Sequence, residues 1–205
     1  TPHDPIEFIL AEHLNHRRMC RALEALADST DFDAAPIAAL VDFIRFDLTL
    51  HVIDEEEDFF PMLRKRCAPD DEINEVLDRL SSEHEQDKAL SVRVRDVLNA
   101  CLIIRKPPHA IEDGAEALRS FAQHEMQHLA LENAVVVPLA RRRFEPADLQ
   151  ELSMRLLARR RRIGRGGSVG VTRVLCDIHR RGRICGLLGV RRSNGIDVCY
   201  PRSEE

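Results

Sequence analysis

Apolar residues in the first part of the chain recur at alternating steps of three and four, the period of a helix with one face turned inward. Breakers at Ser29 to Pro36, Cys67 to Asp71 and Lys106 to Gly114 divide this part into four long segments. The first carries the seam Ile6, Ile9, His13, His16, Cys20, Leu23, Ala27, and the second Ile37, Val41, Ile44, Leu48, His51, Glu55, Asp58, Met62. The third runs Ile73, Leu77, Leu80, His84, Asp87, Ser91, Val94, Leu98, and the fourth Leu118, Phe121, Glu125, His128, Glu132, Val135, Leu139. The pattern predicts an all-α fold in which every seam is apolar at its ends and ionisable in its middle.

Short connections favour antiparallel neighbours, so loop positions test whether the ionisable middles meet. The midpoint of positions 13 and 53 is 33, that of 53 and 84 is about 68, and that of 84 and 130 is 107, each inside a breaker segment. The four polar stretches therefore lie at one height of an antiparallel up-down four-helix bundle. The third helix extends further past its polar middle than its neighbours do, which an irregular end at Arg105 to His109 would absorb.

Composition divides the chain in two. Of 205 residues, those through Met154 include 17 basic and 31 acidic, while those from Arg155 include 13 and 4, so a net charge of -5 conceals an acidic body and a basic end. All eight Phe precede Glu145, and eight of the nine Gly lie at or beyond position 164. Residues 1–144 are expected to form the bundle, 145–162 a short fifth helix docking through Leu149, Leu152 and Leu156, and 163–205 a basic, poorly ordered tail. No apolar run approaches the roughly 18 residues of a membrane helix, the first residues lack a signal-peptide profile, and the scattered cysteines read as free thiols, so a cytoplasmic location is expected.

Four histidines and two or more carboxylates in a bundle core would cost several kcal/mol per unpaired charge (roughly) unless something compensates. Imidazole and carboxylate are good ligands for iron, manganese or zinc. His51 and Glu55, like His128 and Glu132, are four apart and project from one face, so each pair can reach one metal cluster. A site with open positions for a small ligand such as O2 follows. The tail arginines offer salt-sensitive contacts to nucleic acid, with Tyr200 the sole aromatic there for stacking. Cys176, His179, Cys185 and Cys199 contain zinc donors but no paired Cys-x-x-Cys.

The stretches Ala11-Glu12-His13, His51 to Asp58, Glu83-His84 and His128 to Asn133 together resemble the bacterial hemerythrin-like family with the HHE cation-binding domain, over about Pro5 to Arg162. The resemblance implies a centre of two iron ions, with zinc or manganese as the other metals that the donors suit, and members that carry or sense O2 or handle peroxide or nitric oxide. It assigns as ligands His13, His51, Glu55, His84, His128 and Glu132, with Glu55 and Glu132 bridging. His16 and His124 stand near as further candidates, and Asp58 is expected to orient a ligand histidine. Glu56 and Glu57 read as a solvated face, and Cys20 as core filler. Invertebrate O2 carriers of the family are expected to have a second histidine four residues from that of the third helix, where this chain has Leu80 and Lys88. A ferritin-like oxidase would need two Glu-x-x-His motifs, and only Glu125 to His128 fits.

Overall fold

The computed structural model describes residues 4–164, 188–193 and 196–201. Four long helices form an antiparallel bundle: α1 (Pro5–Asp28), α2 (residues 34–66), α3 (Ile73–Ile104) and α4 (residues 114–143). A fifth, α5 (Pro146–Gly164), packs on the outside. Two strands, β1 (Leu188–Ser193) and β2 (Ile196–Pro201), pair antiparallel, with Leu188 opposite Pro201 and Ser193 opposite Ile196. The rest of the expected basic tail, including Cys176, His179 and Cys185, lies outside the described residues. None of the described helices is long and apolar enough to cross a membrane.

Local chemistry starts and stops the helices where the breakers stand. Asp4 caps α1 by accepting from the Ile6 N–H at 2.9 Å, with Pro5 in the first turn, where a missing N–H is harmless. Asp33 caps α2 in the same way at Ala35, so Pro36 falls inside the first turn of the helix. α3 stays helical through Ile104 and stops at Arg105, which adopts a left-handed φ of 54°. The irregular stretch expected from Arg105 to His109 thus contains a short 3-10 turn, Pro108–Ala110, which packs the loop under the start of α4. At that point Gly114 is required by closeness: a Cβ there would stand 2.4 Å from the Pro108 carbonyl oxygen.

All seven seam positions of α1 are buried. In α2 and α3 only Val41 and Ser91 of the seams are half-buried. Two apolar clusters fill the bundle on either side of the ionisable layer. One, from Met19 and Leu23 through Phe43, Leu98 and Phe121, occupies the end where α1 meets the first loop. The other, from Ile6 and Ile9 through Phe59, Phe60, Leu77 and Val136, occupies the opposite end. α5 completes the second cluster with the leucine stripe expected from its spacing: Leu152 and Leu156 are buried and Leu149 half-buried. This helix has 19 residues, against the 18 of the span 145–162 expected from the sequence. Each fully buried leucine contributes about 1.5–3 kcal/mol, and this burial holds the N-terminal half of α5 on the bundle.

Candidate metal centre

Helices α2 and α4 each widen by one residue at the glutamate four positions after the histidine that faces the core, and α2 widens once more before that histidine, at Phe43–Leu48. π-Helical turns span Glu55–Phe59 and Glu132–Val136, closed by bonds from the Phe60 N–H to the Glu55 carbonyl and from the Val137 N–H to the Glu132 carbonyl. The local reason is in the sequence. Pro61 and Pro138 each stand second in the α-helical turn that follows, and in an uninterrupted helix their rings would collide with the carbonyls four residues earlier. The segments share one spacing, histidine, three residues, glutamate, five residues, proline. The extra residue turns the following face, so Val136 is buried where the regular seam predicts Val135, which is 37% exposed.

The four helices place six side chains at the centre of the bundle. Glu55 Oε1 lies 3.5 Å from His13 Nε2 and 3.3 Å from His51 Nε2, and Glu55 Oε2 lies 3.4 Å from His84 Nε2. Glu132 Oε2 lies 3.4 Å from His13 Nε2, and its Oε1 3.4 Å from His128 Nε2. These residues form two compact donor sets, His13, His51, Glu55, Glu132 and His84, His128, Glu55, Glu132, which share both carboxylates. All six are buried, and the Nε2 atoms of His13, His51 and His128 and all four oxygens of Glu55 and Glu132 have no hydrogen-bond partner. Orphaned buried atoms of this kind cost stability unless a ligand takes them. Imidazole and carboxylate atoms converging from all sides fit a pair of cations.

The opposite nitrogen of each histidine is held from another helix. Glu12 holds His51 Nδ1 at 3.2 Å, Glu83 holds His128 Nδ1 at 3.0 Å, Glu56 holds His84 Nδ1 at 2.6 Å, and the Asn133 side-chain oxygen lies 3.0 Å from His13 Nδ1. Such contacts fix which nitrogen faces inward and how the ring is turned. Each partner is the chain neighbour of an inward-facing residue: Glu12 of His13, Glu83 of His84, Glu56 of Glu55, Asn133 of Glu132. The arrangement has a pseudo-twofold pattern that relates α1 and α2 to α3 and α4. Asn133 is its one departure, an amide where the symmetry-related residue is a carboxylate.

The electrostatics of the metal-free chain follow. Burial opposes charge on His13, but Glu55 and Glu132 outweigh it and raise its pKa to about 9. Against the same burial, Glu55 and Glu56 raise His84 to about 10, and Glu132 raises His128 to about 9. His51 goes the other way, to about 3, because burial is joined by the nearby charges of His16 and His13. Glu55 resists the upward push of burial and is held well below the ordinary carboxylate range by His13 and His84.

The remaining sequence candidates lie outside both donor sets. His16 is buried one turn from His13, its Nδ1 2.8 Å from Glu125 and its ring 4.4 Å from that of His51. His124 is partly exposed and pairs with Asp87 at 2.7 Å. Asp58 meets arginines rather than a histidine: it accepts from Arg155 at 3.0 Å and forms an ion pair with Arg159 at 2.8 Å. The orienting role falls in part to Glu56, which is no mere solvated residue because it also accepts from Ser81, whereas Glu57 is 65% exposed in its side chain. Cys20 is a buried free thiol in the apolar cluster, and burial pushes its pKa up. Leu80 is buried and Lys88 pairs with Glu85 on the surface, so neither supplies a further donor. Sequence spacing missed the outer partners Glu12, Glu83 and Asn133, although the repeated Glu-His pair at 12–13 and 83–84 marks two of them.

A helical bundle with paired histidine and glutamate donors on its inner faces is a cation-binding bundle by architecture. A family model of the hemerythrin HHE cation binding domain matches residues 4–140, and the chain belongs to that family. It is also 29% identical over 168 residues to an uncharacterized protein of Haemophilus influenzae, covering 78% of this chain and 92% of that one.

Proposed function

We propose that this chain holds two iron ions, one in each donor set, and binds O2 or a related small oxidant reversibly in sensing, storage or protection. His13 and His51 would hold one ion and His84 and His128 the other, with Glu55 and Glu132 bridging. The observation that carries the reading is the sharing of two buried carboxylates, whose four orphaned oxygens leave one for each ion on either bridge. Iron there would supply reversible one-electron chemistry and open coordination positions. The protein fixes the donors and excludes water: Ile9, Phe59, Phe60 and Leu80 close one side, with the Phe60 ring stacked on His84 at 5.9 Å.

A second reading, turnover of peroxide or nitric oxide at the same centre, is favoured by the buried His16–Glu125 pair, which holds an exchangeable proton beside His51. Steady-state consumption in proportion to iron loading would select it over simple binding.

Metal analysis of protein purified without added metal, with an optical spectrum before and after reduction and exposure to air, tests the proposal. About two irons per chain and a reversible spectral change are expected, since each donor set offers four ligands to one ion. Zinc, or no metal even after anaerobic iron reconstitution, would overturn it.

A further inference from the structure

α5 begins after the residues that the family model matches. Two of its arginines reach the outer shell of the metal centre. Arg159 binds Asp54 and lies 2.7 Å from Glu57 and 2.8 Å from Asp58. Arg160 rests on the Phe8 ring, its guanidinium carbon 4.3 Å from the ring centroid. Its Nη2 lies 2.6 Å from Glu12 Oε1 and 2.7 Å from Asp54 Oδ2. Glu12 turns its other oxygen to His51 Nδ1, and His51 turns Nε2 to Glu55. A continuous chain of charged contacts therefore runs from the fifth helix through Glu12 and His51 to a shared carboxylate of the centre.

Each link constrains the next. With one oxygen on a guanidinium and the other on an imidazole, the Glu12 carboxylate has a single orientation. Asp54 is fully buried, and with α5 displaced it would lose both cations that compensate it. The N-terminal half of α5 is secured by Leu152 and Leu156; beyond Leu156, among the described side chains, Leu157 is open to solvent and the helix is held by the ion pairs of Arg159 and Arg160 and by the Arg160–Phe8 contact. A cation on His51 Nε2 would polarise the Nδ1–H toward Glu12 and so strengthen the link on which Arg160 closes.

We propose that α5 is a latch on the metal centre, in which Arg160 is a positioning residue acting through Glu12 on His51, so that metal occupancy and docking of the C-terminal half of α5 favour each other. The inference rests on the metal reading of the six donors. Coupling between two such events is reciprocal: the factor by which docking tightens metal binding is the factor by which metal tightens docking.

The test uses the full chain loaded anaerobically with ferrous iron, comparing wild type with Arg160→Ala, Arg160→Lys, Glu12→Gln and the double variant of Glu12→Gln with Arg160→Ala. Arg64→Ala serves as control, because Arg64 pairs with Asp78 and Asn74 on the surface. Loss of a residue that orients a ligand costs about 10–100-fold in metal affinity, and Arg160 stands one link further out, so Arg160→Ala should weaken iron retention against a chelator by about 3–30-fold. Lysine should restore part of the loss, the double variant should lose no more than Glu12→Gln alone, and Arg64→Ala should match wild type. Hydrogen exchange in the last two turns of α5 should slow when iron binds wild type and should not respond in Arg160→Ala. Iron retention by Arg160→Ala equal to wild type, additive losses in the double variant, or exchange in α5 indifferent to iron would each overturn the latch while leaving the metal reading in place. A wild-type chain that takes up no iron would overturn the metal reading, and the latch with it.

Discussion

The two donor sets offer the same atoms, two Nε2 nitrogens and the same pair of carboxylates, yet they stand in different surroundings. The histidines of one set, His84 and His128, are both backed by carboxylates, Glu56 and Glu83. In the other set His51 is backed by a carboxylate, Glu12, that is itself tied to α5, and His13 by the neutral amide of Asn133. A ring of Phe60 covers His84, whereas a second imidazole, His16, lies against His51. Identical ligands thus do not make equivalent positions. What lies behind each ring decides how strongly it donates and how readily it accepts a proton.

The comparison breaks most completely at the residues both sets share. Glu55→Ala should reduce metal from two per chain toward none, whereas His51→Ala and His128→Ala should each spare the other set and leave about one, and His109→Ala, in the loop after α3, should change nothing; this four-ligand arithmetic is checked by metal analysis. Equal content in all four variants would refute the ligand assignment. A finer probe lies one shell out. Glu83→Gln should weaken metal binding by about 10-fold, within the range for residues that orient a ligand, and Asn133→Ala by less, because a neutral hydrogen bond is about half as strong as a charge-assisted one. Chelator competition on both variants would show the order, and the reverse order would deny the proposed inequality of the sets.

The pH response of the metal-free chain separates the histidines in another way. His13, His84 and His128 have folded pKa values raised to about 9, 10 and 9 from an unfolded value of roughly 6.5, so the stability they contribute is complete below pH 6.5 and is lost as pH rises through 9 to 10. His51 is depressed to about 3 because it stays neutral in the fold, and its contribution is present above pH 6.5 and lost as pH falls toward 3. Thermal unfolding of metal-free protein should therefore shift to lower temperature between pH 7 and 10, while metal-loaded protein, whose ligand nitrogens carry no exchangeable proton, should lack that shift. A flat profile without metal would contradict the protonation pattern.

Much of this was legible in one dimension. The seams of α1 and α3, the loop positions and the convergence of His13, His51, His84 and His128 follow from periodicity, because a regular helix converts spacing into facing. Periodicity failed where the helix is not regular: one extra residue after Glu132 exchanged Val135 for Val136 in the core. It was also silent on pairs between helices. Nothing in the spacing of Glu56 tells whether it meets water or His84, since that depends on how α2 is rotated against α3. Arg159 and Arg160 looked like part of an undifferentiated basic run, and only the docking of α5 brings them to Glu12 and Asp54, more than a hundred positions away.

The wide turns after Glu55 and Glu132 also set the facing of everything that follows them. Each holds one residue more than a plain helical turn would, so drawing the same sequence into an unbroken α-helix would rotate everything beyond by about 100°. Phe59, Phe60 and Leu63 in one helix, and Val136, Leu139 and Ala140 in the other, would then leave the interior together. Loops such as residues 29–33 can gain or lose a residue at small cost. In these two helices the width of a single turn is itself part of the fold, and straightening it acts on a whole face of the bundle.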